Sequence, residues 1–307
     1  MNRIFHFQIT QQHAEEAIDF FLKSHGFSRH IISQIKKYDT GILVNNLHQN
    51  TRYHLKEGDL LSITIQESAP SQKIIPVPMD LNIVFEDEDI LVLNKPADTP
   101  IHPSLNNYEN SLANGVAFYY QKENSPFVFR CINRLDRDTT GLTIIAKNSL
   151  SSAILSSMVS RRLIHREYVA IVKGNPPDSG TIDAPIGRKS DSAIERIVDF
   201  ECGEVAVTHY QKLVCDNNHS LLKLKLETGR THQIRVHMKH IGYPLIGDYL
   251  YHPDYTYIKR QALHSYRLTF THPITKEPLE FIAPLPPDMA EILPSSCSDL
   301  LEEHTFH

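Results

Sequence analysis

Ile132-Asn133-Arg134-Leu135-Asp136-Arg137-Asp138-Thr139-Thr140-Gly141, followed by the apolar run Leu142–Ala146, is the stretch around which this 307-residue chain is organised. An apolar strand is expected to lead into it, polar residues and a glycine break it, and a second apolar run follows. Asp136 is therefore expected on a loop between two strands. Loops held by a rigid sheet are where reactive side chains are usually presented. On local grounds alone, an aspartate between two arginines is also the pattern of a solvated ion pair.

Working outward, Asp87-Glu88-Asp89 can turn between Ile83–Phe85 and Ile90–Leu93, and Asn217-Asn218 lies between His209–Val214 and Leu221–Leu226. Two adjacent-strand hairpins, with no regular βαβ rhythm, predict an α+β domain over 80–285. Its antiparallel or mixed sheet would be flanked by helices. Thr231–His240 reads as an amphipathic helix, capped by Thr231 and ended by Gly242. Before this domain, 67–79 (ESAPSQKIIPVPM) holds three prolines and no periodicity, the composition of a linker. After it, 286–307 reads as a frayed tail.

Residues 1–66 form a smaller α+β unit. Ile4–Ile9 reads as a strand, Ala17, Ile18, Phe21 and Leu22 recur at helical spacing, and Ser28 stands as an N-cap before Arg29–Ile35. Ile42–Val44 reads as a strand, Asn45-Asn46 as a turn, and Gly58-Asp59 introduces the strand Leu60–Ile65.

Hydrophobic residues make up 41% and charged residues 22%, ordinary for a globular chain and unlike a disordered one. No stretch has the apolar length of a membrane helix, and Met1–Ile9 is too polar for a signal peptide, so a cytoplasmic protein is expected. The four cysteines are scattered without a CxxC pair, as reduced thiols would be. The net charge of −5 speaks weakly against nucleic acid, but the charge is segregated. Between Arg130 and Tyr168, seven Lys and Arg face three acids; Lys223 to Lys239 holds five basic residues against Glu227. A local basic face is what phosphates need. His232, His237 and His240 lack a carboxylate at helical spacing, so no metal site is expected.

Arg134-Leu135-Asp136, then Thr139-Thr140-Gly141 and an apolar strand ending Ala146-Lys147, resembles the RluA-type family of RNA pseudouridine synthases. Four more segments follow that family's order. They are Asn94-Lys95-Pro96 with Ile101-His102-Pro103; Arg166-Glu167-Tyr168; Thr228 to His237, continuing through Gly247-Asp248 and Tyr251; and Leu263-His264. Three departures stand out: Asn133 where the family usually has His, Asp98 where it has Gly, and Thr140 where it has Ser. The unit at 1–66 resembles the S-four-type RNA-binding domain through Ser28-Arg29, Gly41 to Asn45 and Gly58-Asp59.

The resemblance implies isomerisation of uridine to pseudouridine in structured RNA, ribosomal rather than transfer RNA. The alternative is a non-catalytic RNA-binding or ribosome-assembly protein that keeps the fold. The reaction breaks the bond from ribose to the base nitrogen and rejoins the sugar to a ring carbon. It exchanges no electrons or phosphoryl groups, so no cofactor is expected; nor does the chain carry a P-loop or dinucleotide fingerprint. One ionised carboxylate must stand beside the sugar, either attacking it or deprotonating it. By resemblance Asp136 is that carboxylate, Arg235 the cation that favours its charged form, and Tyr168 the ring stacked on the uracil, taking part in removing the proton from carbon 5. Arg134 either fills the space left by an extruded base or contacts phosphate. Arg137, Arg230 and His232, with Arg29, Lys36 and Lys37 of the first unit, complete the candidate RNA contacts. A monomer is expected.

Overall fold

The computed structural model describes residues 2–67, 74–104, 107–122 and 127–292. The first unit comprises β1 (Asn2–Gln8), α1 (Ile18–Ser24), α2 (Arg29–Ile35), β2 (Ile42–Val44), β3 (Leu47–His48) and β4 (Leu60–Gln66). β4 pairs antiparallel with β1 on one side and β2 on the other, in the order β1-β4-β2-β3. Ser28 does cap α2, its hydroxyl accepting from the Ile31 amide at 3.3 Å. Asn45 and Asn46 both take positive φ (50° and 67°), the conformation a two-residue hairpin turn demands.

The larger unit comprises β5 (Ile83–Glu86), β6 (Ile90–Lys95), α3 (Leu112–Lys122), β7 (Thr140–Ala146), α4 (Ser149–Ser160), β8 (His165–Lys173), β9 (Ser179–Asp183), β10 (Ile186–Arg188) and β11 (Arg196–Val198). It continues through β12 (Val207–Asp216), β13 (His219–Leu226), α5 (Gln233–His240), β14 (Leu263–Thr271), β15 (Pro278–Ile282) and α6 (Pro287–Ala290). Nine strands join one sheet, ordered β5-β6-β7-β14-β8-β13-β12-β9, with β15 also on β14. β7 and β14 run parallel and the other neighbours antiparallel, so the sheet is mixed and the fold α+β. β10 and β11 form a separate two-stranded ribbon. Every residue of β7 is buried, because elements cover both faces of the sheet centre. Among the described residues, no helix is long and apolar enough to cross a membrane.

The two units share a core. Leu150 of α4 belongs to the same buried cluster as Phe5, Phe21 and Ile63, and Ile154 packs against it. Arg3 of β1 donates to both Asp89 oxygens, at 3.1 and 3.0 Å. Glu67 accepts from Arg130 at 2.9 Å and from the Ser149 amide at 3.2 Å.

Three expectations need correction. The approach to Asn133 is no full strand: Cys131 makes a single bridge to Ile145, flanked by the backbone bonds Ala146 N–H to Arg130 and Ile132 N–H to Ile144, and from Asn133 onward a side chain takes over the pairing. α5 begins at Gln233, and its N-cap position is His232, in a left-handed conformation (φ 59°) with no side-chain cap, so Thr231 does not cap it. The tail is ordered over Pro287–Ala290, where Met289 is buried and Asp288 binds Arg260 at 2.7 and 2.8 Å. Residues 68–73 of the expected linker and 293–307 of the tail lie outside the described residues.

Candidate active site

Asp136 lies on the loop between Cys131 and β7, and three devices fix that loop. The buried Asn133 amide donates to the Leu142 carbonyl at 3.0 Å and accepts from the Ile144 amide at 2.8 Å. One side chain thus supplies both hydrogen bonds of a missing strand neighbour. Lys95, 1% exposed, donates to the carbonyls of Pro96, Thr99 and Arg137 at 2.7–2.8 Å. Burial pushes its pKa down to about 7. Its three N–H groups nevertheless all meet acceptors, which only the protonated amine can satisfy. Gly141 closes the loop at φ 109°, and a Cβ there would lie 2.2 Å from the Ser265 carbonyl oxygen on β14. Only glycine permits that approach.

The Asp136 carboxylate, 26% exposed, accepts from Arg235 Nη1 at 2.9 Å. Arg235 is 1% exposed. Its Nε and Nη2 donate to Asp248 at 2.7 and 2.8 Å, a fork-to-fork pair. Burial alone would lower the guanidinium pKa; the bond to Asp248 and the charge of Asp136 raise it. Gly247, at φ 70° and with the Arg260 carbonyl 2.1 Å from where its Cβ would be, sets the turn that aims Asp248 inward. The rings of Tyr251 and Tyr249 lie 5.0 and 5.5 Å from the guanidinium.

His232 Nε2 lies 3.9 Å from Asp136, and its Nδ1 is 2.9 Å from the Tyr251 hydroxyl. That hydroxyl accepts from the Arg196 amide at 2.9 Å, which leaves its proton for Nδ1 and puts the imidazole proton on Nε2. Burial lowers the His232 pKa and raises that of Tyr251 to about 12, so both are neutral at pH 7.

Tyr168, 5% exposed on β8, lines one small cavity with Asp136, Arg134, Arg235 and Leu263. Burial raises its pKa, and the charge of Asp136 adds to the effect. Asp136, Arg134, His232 and Arg235 also face a wider cleft of about 500 Å³, within the usual range for ligand sites. The acid and the cation thus face both spaces, and the ring lines the smaller one.

Arg134 is exposed in this cleft. Arg137 pairs with Asp138 at 2.9 Å and lies 3.6 Å from Asp98. Arg230 pairs with Glu204 and donates to the Val205 carbonyl. Arg29, Lys36 and Lys37 are exposed on α2 and just beyond it, and none of them lines this cleft. Asp98 occurs at φ 51°, a left-handed position that suits the family's glycine and that aspartate tolerates. Thr140 lies 2.8 Å from buried His264.

Sequence reasoning assigned no role to Asp248, Lys95, Tyr251 or Gln233. The Gln233 carbonyl oxygen accepts from the Arg230 amide and the Thr228 hydroxyl, and its amide nitrogen donates to Val207 and Thr208. This side chain, rather than Thr231, anchors the approach to α5. The signals were Asp after Gly247 and Gln beside His232, polar residues at positions that the helix and turn bury.

A family model described as RNA pseudouridylate synthase matches residues 89–240. RNA pseudouridine synthase YjbO of Bacillus subtilis is 42% identical over 269 residues, covering 87% of this chain and 95% of the relative. Ribosomal large subunit pseudouridine synthase D of Haemophilus influenzae is 40% identical over 236 residues, 72% of each chain. The structure of human RNA Pseudouridylate Synthase Domain Containing 1 superposes with a TM-score of 0.56 at 26% identity, over 68% of this chain and 86% of that one. The chain therefore belongs to the RNA pseudouridylate synthase family, enzymes that isomerise uridine in RNA.

Proposed function

We propose that this enzyme acts on ribosomal RNA, with Asp136 as the catalytic carboxylate. The observation that carries the reading is the 2.9 Å bond from Arg235, itself locked by Asp248, to a carboxylate open to the cleft. A preorganised cation beside an acid requires no reorganisation when the sugar arrives. The uracil leaves C1′, turns, and is rejoined through C5; the C5 proton is lost and N1 gains one, so atoms balance without a redox partner. Tyr168 serves as the aromatic wall of the base site. Its raised pKa keeps the phenol protonated at neutral pH, so it takes part in C5 proton removal only as a hydrogen-bonding partner. Arg134, Arg137, Arg230 and His232 are the RNA contacts around the cleft.

Residues 1–66 act as an S-four-type RNA-binding module, offering Arg29, Lys36 and Lys37 to phosphates; 80–285 carry the chemistry. The likeness to relatives named for the large ribosomal subunit favours ribosomal RNA. The test is pseudouridine mapping in ribosomal RNA from a strain lacking the chain, complemented with wild type or Asp136→Asn. At least one site should vanish and return only with wild type. No lost site, or restoration by Asp136→Asn, contradicts the reading.

A further inference from the structure

A second cavity, of about 620 Å³, adjoins the cleft and shares Arg137, Asp138 and Tyr249 with it. Its other walls carry Tyr255 and Tyr257, which with Tyr249 are 39%, 57% and 41% exposed. Three solvated tyrosines in one concavity leave large apolar ring faces uncovered. The Tyr257 ring packs edge-on against His219 at 4.6 Å, which restricts it before any ligand arrives. The cations here are already engaged: Arg137 by Asp138, Arg260 by both oxygens of Asp288. Lys259 donates to the Tyr255 carbonyl at 3.0 Å. With Arg137 and Arg260 paired to carboxylates, and Asp98 and Glu291 also on its walls, the cavity suits a flat, uncharged group better than a phosphate. Every nucleobase offers such a face, and aromatic rings bind it whatever its sequence.

We propose that this cavity receives an unstacked nucleobase of the substrate RNA neighbouring the modified uridine, by stacking on Tyr255 and Tyr257. The proposal rests on the reading of the chain as an RNA-modifying enzyme, and its occupant follows from continuity with the cleft that takes the target base. It gives the enzyme a second grip on the strand it distorts, and stabilises the opened loop while the uridine is turned out.

The test uses the full-length protein and an unmodified transcript of large-subunit ribosomal RNA. Short-wave ultraviolet crosslinking to the Asp136→Asn variant, read by mass spectrometry, should place RNA on Tyr255 or Tyr257. The doubly substituted Tyr255→Ala, Tyr257→Ala enzyme should show KM raised about tenfold or more, with a smaller change in kcat. The matching Phe variants, which keep the rings, should restore the wild-type KM. No crosslink at either tyrosine, or KM within about twofold of wild type in the Ala pair, overturns the subsite. Crosslinking does not depend on turnover, so an inactive wild type would count against the enzyme reading while the crosslink alone still decides the subsite.

Discussion

Asp248 grips Arg235 with both carboxylate oxygens, at 2.7 Å to Nε and 2.8 Å to Nη2. Nη1 is thereby left pointing at Asp136. Both partners are almost wholly buried, so the pair is a positioning device whose loss exposes a charge to an apolar interior.

Asp248→Asn should destabilise the fold by about 3 kcal/mol and lower kcat even though Asp136 is untouched. Arg235→Met should do the same. Urea unfolding of the double variant should give a loss smaller than the sum of the two, because each change alone strands the other's charge. Additive losses would show that the two side chains do not act as a unit.

Asn133→Ala should cost about 1–3 kcal/mol, since it leaves the Ile144 amide unpaired in the core and takes from the Leu142 carbonyl one of its two donors, the Ser265 hydroxyl being the other. The same change should lower kcat more than it raises KM, because the loop that carries Asp136 loses its tie to β7. Steady-state kinetics beside thermal unfolding separate the two effects. Unchanged kinetics would mean that Lys95 and Gly141 alone hold the loop.

Acid stability should report on His264, whose buried imidazole is pushed down to about 4. Below its unfolded pKa of about 6.5 the unfolded chain takes up a proton that the folded one refuses. This group therefore withdraws stability as the pH falls from about 6.5 to 4, by roughly 3 kcal/mol in total. Urea midpoints of wild type should fall more steeply over that range than those of His264→Gln. Parallel curves would exclude this histidine as the source.

Because Leu150 lies in the core of the first unit, deleting residues 1–66 would strip a face of α4 and confound any readout. Substituting Arg29, Lys36 and Lys37 by Glu leaves that core intact. RNA affinity should weaken, and the slope of log affinity against log salt should shrink by up to about 0.9 per lost duplex phosphate contact. An unchanged slope would show that α2 does not face phosphate.

Much of this was legible in one dimension. Hydrophobic alternation around Asp87-Glu88-Asp89 and Asn217-Asn218 located two hairpins, because turns of this kind depend on residues next to one another. Asp136, Tyr168 and Arg235 were visible because each sits in a compact block. Asp248, Lys95 and Tyr251 were not, since their partners lie on segments remote in the sequence or on backbone carbonyls that leave no mark in it. The failure of Thr231 as a cap has the same origin: Gln233 bonds Val207 and Thr208 on β12, and that contact, made only in the fold, sets where α5 begins.

The role proposed for the Asp136 carboxylate is to perform the chemistry. Its most direct measurement is tritium release from 5-tritiated uridine in ribosomal RNA by Asp136→Asn, paired with RNA binding by the same protein. The amide is isosteric, so binding should persist while release falls to background. Release at a rate near that of wild type would contradict the account.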